Sequence, residues 1–385
     1  MEPHDPNRTQ ANRSLPGFLL FSGTNDRALI ALCRGLDGHK IPFGLIGRGQ
    51  NDLIKRSGYA DRFVLERKGE ELVFEEVLHA IHAAKERYGA ERWVICPTSE
   101  YLNLALFSMR AALRTHQVDI ATCDEALYRR ISNKSSFREY STLVQVPPPE
   151  LLEARSFTDL TLPFVAKPKT NLSRSGKILY PYLVRTLAEL ERFKCEADFD
   201  AFYFEEFVEG ESWYLLFYVA QDGKVVHGAQ RNYLQQGTGK SIVVAQQKPF
   251  PESDVPARYS ERLVMDGYRG FIMVEIRRMQ VGRSVSIEAN PRCWGPLQLT
   301  IDGGMGLLEA FLEDHGYSTR SPMKPSIGRY YCWSGGVVQA LRTGKGLDRH
   351  SSRSSTLWKT LCALPSDVYA RSDAWSCFNT DLWHV

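Results

Sequence analysis

No stretch of this chain approaches the ~18–20 consecutive apolar residues that a bilayer-spanning helix needs, which excludes a helical membrane protein. The start is equally poor in apolar residues. Met1 to Pro16 is polar, carries Pro, Asn and Arg, and is expected to be a disordered leader rather than a signal peptide. Charge of one sign is scarce as well: 48 basic against 45 acidic residues leave a net +3. That balance argues against a broad platform for nucleic acid or an anionic membrane, while leaving room for a local phosphate site. The eight cysteines lie far apart and form no C-x-x-C pair, so neither a disulfide framework nor a zinc site is indicated. Scattered thiols of this kind fit a reducing cytoplasm. A dinucleotide fingerprint is also missing, since the one glycine turn near the start, Ser22-Gly23, falls short of G-x-G-x-x-G.

What remains is an ordinary globular composition, 43% apolar and 24% charged, over 385 residues, enough for two or three domains. From Gly17 to about Arg130, short apolar runs alternate with amphipathic segments. Phe18–Phe21, Phe43–Ile46, Arg62–Leu65 and Trp93–Cys96 read as strands. Helices are predicted near Arg27–Leu36, over about Glu70–Tyr88 and near Tyr101–Leu113. Strands separated by helices of this length predict βαβ crossovers and a parallel sheet. His79 and His82, three apart on the second helix, lack a third ligand in view and read as helix surface rather than a metal site.

After Ser132 the texture changes. A short helix at about Asn133–Tyr140 is followed by the breaker Pro147-Pro148-Pro149. Strand-like runs follow at Phe164–Ala166, Ala201–Phe204, Trp213–Val219, Lys224–His227, Phe271–Met279 and Val285–Ala289, with a hairpin turn signal at Asp222-Gly223. Helices near Ser260–Met265 and Met305–His315 make this an α+β region.

The chemistry concentrates around one hairpin. Glu275 and Glu288 lie on two runs joined around Val281-Gly282-Arg283; a two-residue turn sets them opposite, and a longer one sets them diagonal. Asn290 shares the face of Glu288. Two carboxylates about 4 Å apart repel by roughly 4 kcal/mol at an effective dielectric of 20, so a proton, a cation or solvent must offset them. Two acids and an amide oxygen are hard ligands suited to Mg²⁺; the plain alternative is a solvated hairpin. Arg292, two beyond Asn290, suits a developing phosphoryl or carboxylate oxyanion. Lys167 ends an apolar run, where a lysine is unusual as packing and useful as a phosphate contact. The loop after it, Lys169 to Lys177, offers donors that could close over phosphates. Tyr203 to Glu211 alternates aromatics with acids, which could supply an adenine slot and a carboxylate for ribose.

Lys134, then Ala166-Lys167-Pro168, Glu205-Glu206-Phe207-Val208-Glu209-Gly210, Val274-Glu275-Ile276 and Glu288-Ala289-Asn290-Pro291-Arg292 resemble, in order and spacing, the motifs of the ATP-grasp superfamily. The following Cys293-Trp294-Gly295 makes the pattern similar to the carboxylate–amine ligase branch that includes D-aspartate ligase-like enzymes. The resemblance implies α/β and α+β architecture: a Rossmann-like pre-ATP-grasp domain over 17–130, then a two-lobed ATP-grasp domain over 131–320. Within the latter, the lid would be about 131–204 and the metal-bearing lobe about 205–320. Residues 321–385 match nothing and stand as an extension of unknown role. By the same resemblance Lys134 and Lys167 contact the phosphates of ATP, and Glu205, Glu206, Phe207 and Val208 form the adenine hinge. Glu211 takes the ribose, while Glu275, Glu288 and Asn290 hold one or two Mg²⁺ ions. Arg292 binds the transferring phosphoryl group, with Arg231 a further candidate beside it. Two departures stand out: the lid loop has a single glycine, Gly176, and Met273 occupies a position where some ligases place an arginine.

The reaction so implied makes an acyl phosphate from a carboxylate and ATP, then lets an amine displace phosphate. Amino acids or peptides are the substrates expected for this branch, and homodimers are common in it. Tyr233, Trp294 and Gln298 are pocket candidates, with core packing the equal alternative. Cys293 has no partnering histidine and reads as a bystander. The rivals are a phosphotransferase or carboxylase-type enzyme and a non-catalytic nucleotide binder. A biotin-dependent carboxylase is disfavoured by length, and a pure binder has no need of paired metal acids.

Overall fold

The computed structural model describes residues 14–383 apart from 50, 70, 97, 170–178, 240, 281, 320–327 and 345. Most of the leader and of the loop expected to close over phosphates therefore lies outside the described residues.

The first domain follows the predicted alternation. In chain order it contains β1 (Gly17–Phe21), α1 (Asp26–Gly38), β2 (Phe43–Gly47), β3 (Phe63–Glu66) and α2 (Phe74–Tyr88). Then come β4 (Trp93–Cys96), α3 (Glu100–Thr115), β5 (Val118–Ile120), α4 (Glu125–Ser132) and α5 (Lys134–Leu143). All strand pairs are parallel, in the order β3-β2-β1-β4-β5. The strands are continuous apolar runs because helices cover both faces. α2 and α3 close one side over Leu19, Ile46 and Ile95. α1 closes the other, and its buried residues Ala28, Leu29 and Leu32 belong to one core with Tyr214 of the large sheet and with Trp294 and Leu308 outside its strands. Gly35 permits this approach: a Cβ there would meet Leu308 Cδ2 at 2.3 Å.

The region expected to be the lid is a small antiparallel sheet of β6 (Phe164–Pro168), β7 (Tyr182–Val184) and, after α6 (Leu187–Glu196), β8 (Phe202–Glu206), in the order β7-β6-β8. Phe164, Phe193, Phe202 and Phe204 form its separate core. The large sheet is antiparallel. It contains β9 (Glu211–Val219), β10 (Val225–Gln236) and β11 (Ile242–Gln247), then, after α7 (Asp254–Met265), β12 (Gly270–Arg278) and β13 (Ser284–Asn290). Helices α8 (Leu297–Asp302) and α9 (Leu307–Asp314) follow. β10 runs far beyond the predicted Lys224–His227. Its second half is polar, so hydrophobic patterning hides it, yet those groups bond one another in part: Gln230 donates to Asn232 at 2.7 Å, and Asn232 to Ser212 Oγ at 3.0 Å.

Residues beyond 321 extend the same sheet. β14 (Tyr330–Cys332) pairs with β11, and after α10 (Ser334–Arg342), β15 (Leu347–Arg349) pairs antiparallel with β10. The final helices, α11 (Arg353–Ala363) and α12 (Trp375–Trp383), lead back to the first domain, where Arg34 binds Asp373 at 2.7 Å and Cys377 Sγ donates to the Leu53 carbonyl at 3.2 Å. Among the described residues no helix is long and apolar enough to cross a membrane.

Candidate active site

The acids sit on β12 and β13, and register decides whether they meet. From Arg278 opposite Ser284 to Ile276 opposite Ser286 the pairing is regular; continued, it would set Glu275 against Ile287. A β-bulge slips the register by one residue there, so Glu275 lies opposite Glu288 and Met273 opposite Asn290. Alternation then puts Met273, Glu275, Glu288 and Asn290 on one face. The bulge has a second consequence: the Ile287 carbonyl accepts a hydrogen bond from Lys167 Nζ at 3.2 Å.

Lys167 is itself buried and lies 2.7 Å from Glu205 Oε2 on the neighbouring lid strand. Arg138, one helical turn beyond Lys134 on α5, pairs with the other oxygen of Glu205. Glu205 is 1% exposed, so its carboxylate is committed to two cations and not open to adenine. Glu206 turns back to accept from the Glu150 amide at 3.0 Å. Phe207 lies 5.1 Å beneath the Arg185 guanidinium, and Val208 is buried. Arg185 in turn binds Asp348 of β15 at 2.7 Å, linking lid to large sheet.

Glu275 is 5% exposed. Burial lifts its carboxyl from 4.5 to about 7; Arg277 opposes that rise and Glu288 adds to it. Arg277 Nη2 lies 3.1 Å from Glu275 Oε1, and its Nη1 donates to His350 Nδ1 at 2.8 Å. Burial, then the charge of Arg277, holds the His350 imidazole down at about 2, so the ring is neutral and can accept. Asn290 bridges the next two groups. Its amide nitrogen donates to Glu288 Oε1 at 2.9 Å, and its oxygen accepts from Arg292 Nη2 at 3.0 Å.

Two cavities meet at this hairpin. The first, about 980 Å³, is lined by Lys167, the segment from Glu205 to Glu211, Arg231, Glu275 and Arg277, and by residues 347–352. The second, about 880 Å³, lies between Asn25, Arg27, Ser99 and Glu100 of the first domain and Met273, Asn290, Arg292 and Trp294 of the large sheet. Lys134 and Glu288 line both. Burial lowers the Lys134 ammonium, against the pull of Glu288. The candidate phosphate, hinge, ribose, metal and arginine residues thus each reach one cavity or the other, whereas Tyr233 and Gln298 reach neither.

Arg231 does not join Arg292. β10 is three strand spacings from β13, about 14 Å. Arg231 is instead diagonal to Glu211, which it binds at 2.8 Å, while Trp213 Nε1 donates to the other Glu211 oxygen at 3.0 Å. Of the suggested pocket residues, Trp294 lines the second cavity, Tyr233 hydrogen-bonds Gln246, and Gln298 accepts from Arg34. Cys293 is fully buried, and burial pushes its thiol up to about 12.

A cation has a place here. Two facing carboxylates, one lifted by burial, are relieved by a hard divalent ion, and the Asn290 oxygen keeps a second lone pair. Among the described residues no third acid, histidine or cysteine joins these two carboxylates.

Neither a protein-family profile nor a curated protein matches the chain. Solved structures do. A Campylobacter jejuni biotin carboxylase in complex with β-γ-ATP aligns at 16% identity and TM-score 0.57, over 81% of this chain and 74% of that one. The biotin carboxylase domain dimer of Hydrogenobacter thermophilus 2-oxoglutarate carboxylase, with MgADP, ADP and bicarbonate, aligns at 14% and 0.58, over 83% and 74%. Rhizobium etli pyruvate carboxylase aligns at 17% and 0.59, over 82% of this chain and 30% of the other. The chain has the ATP-grasp fold. β6 to β8 form the small sheet and β9 to β13 belong to the large one, while residues 347–352 add an outer wall to the first cavity.

Proposed function

We propose that the protein is an ATP-dependent ligase that activates a carboxylate as an acyl phosphate and joins it to an amine, with an amino acid or peptide among its substrates. The observation carrying this reading is the junction of the cavities: Glu288 and Lys134 face both. A nucleotide in the first cavity would point its phosphates at an acid held in the second. Lys134 and Lys167 bind the phosphates, the hinge around Phe207 and Val208 takes adenine, and Glu211, fixed by Arg231 and Trp213, meets the ribose. Glu275 and Glu288, with Asn290, hold Mg²⁺, which when bound neutralises phosphate charge. Arg292, oriented by Asn290, binds the substrate carboxylate and the oxygens of the acyl phosphate. The carboxylate oxygen attacks the γ-phosphorus as the bond to ADP breaks. The amine nitrogen then attacks the carbonyl carbon as phosphate leaves.

A second reading, a carboxylase-type enzyme that phosphorylates bicarbonate, draws support from the biotin carboxylase structures, one of which contains bicarbonate with MgADP. Phosphate release from Mg-ATP separates the two. Release that requires a carboxylate and an amine together, and is lost in Glu288→Gln, supports the ligase. Release with bicarbonate alone supports the carboxylase, and no release under any condition refutes both.

A further inference from the structure

The parallel sheet runs β3-β2-β1-β4-β5, so its order reverses between β1 and β4. Open α/β sheets bind ligands beyond the carboxyl ends of the strands at such a reversal. The residues that leave those strands, Asn25 after β1 and Ser99 and Glu100 after β4, form the first-domain wall of the second cavity. Ser99 caps α3, its Oγ accepting from the Leu102 amide at 3.4 Å, which sets Glu100 as the first helical residue.

Charge within this cavity is unpaired in a particular way. Among the described residues no hydrogen bond or ion pair engages the Glu100 carboxylate. On the opposite wall Arg292 bonds, among the described residues, only Asn290 and the Cys293 carbonyl, and pairs with no carboxylate among them. The buried Trp294 indole N–H has no acceptor among the described residues. An anion on one wall and spare donors on the other complement a ligand with an ammonium group near an acyl oxygen.

We propose that Glu100 receives the ammonium group of the amine substrate and takes one of its protons, so that the first domain delivers the nucleophile to the acyl phosphate held at Arg292. This rests on the ligase reading above. The ammonium gives a proton to the Glu100 carboxylate; the freed nitrogen lone pair forms the C–N bond; the C–O bond to phosphate breaks with its electron pair. The second nitrogen proton leaves with the departing phosphate. The groups facing Glu100 are Arg292, Lys134 and Arg129 as cations, Glu288 as an anion, and the Tyr128 hydroxyl, which accepts from Asn103. Burial raises the Glu100 carboxyl above its usual range, Arg292 and then Lys134 holding it back, which brings it nearer to an amine in proton affinity.

Hydroxylamine tests the assignment, because it traps acyl phosphates and is unprotonated at neutral pH. Wild type with Mg-ATP, hydroxylamine and a panel of amino acids and dipeptides identifies the acid as its hydroxamate; the same panel then supplies the amine. In Glu100→Gln, kcat/KM for the amine should fall about 100-fold or more, while hydroxamate formation falls far less. The deficit should shrink as pH rises and free amine accumulates, and Glu100→Asp should recover part of the rate. Equal losses with amine and hydroxylamine would overturn the role, placing Glu100 in activation or in folding, which a thermal melt distinguishes. Wild type that forms neither hydroxamate nor amide would overturn the ligase reading itself.

Discussion

Replacing Glu275 by glutamine should flatten the pH dependence of stability and remove the response to Mg²⁺. In the folded protein the carboxyl titrates at about 7 instead of 4.5, chiefly because it is buried. Between those values the native state keeps a proton that the unfolded chain has released. The linked stability is therefore fully present below 4.5 and lost as pH rises through about 7. The shift corresponds to about 3 kcal/mol, most of it falling between pH 5 and 8. Glutamine has the same shape and no charge to desolvate, so in chelator the variant should escape that loss. Urea midpoints of both proteins at the two pH values give the difference, with other titrating groups cancelling in the comparison. Mg²⁺ added at the higher pH binds only the folded state and should restore wild type but not the variant. Parallel losses in the two proteins, or equal rescue by Mg²⁺, would refute both the burial argument and the metal assignment.

Arg138→Ala leaves the buried Glu205 with Lys167 alone and should destabilise the protein by about 3 kcal/mol, measured by urea unfolding. Asp348→Asn breaks the link to Arg185 between large sheet and lid; stability should change by less than about 1 kcal/mol, while a fluorescent ATP analogue dissociates faster in stopped flow. Cys293→Ala should retain ATP-dependent phosphate release, because a buried thiol at about 12 supplies no thiolate; lost turnover would revive a covalent mechanism.

Legibility followed the source of each element's stabilisation. β1, β2 and β4 are buried on both faces, so their apolar runs show without context. β5 is three residues long and α4 is interrupted only by Asn133, which closes one helix and caps the next; neither stands out by periodicity. Ile242–Ala245 of β11 is an apolar run that patterning does show, whereas the second half of β10 and the end of β11 resist patterning because Gln230, Asn232, Gln246 and Gln247 are buried polar residues. Their burial is tolerable only once the neighbouring strands are in place to bond them.

The site divides along the same line. Glu275, Glu288, Asn290 and Arg292 are close in sequence, and the facing of the two acids was one of two outcomes open to the hairpin. The turn did not decide it; the Ile287 bulge did, and its carbonyl is held by a lysine 120 residues earlier. Arg277 was readable, being two residues beyond Glu275 and so on its face. His350 was not, because it reaches Arg277 only when β15 adds to β10, 115 residues from the Gln235 it also touches. The segment that matched no motif therefore fixes the cation beside the first acid. With Arg277 tethered by a neutral ring, Glu275 can stay buried without a metal, and an ion bound there as proposed would compete with one oriented guanidinium instead of with water.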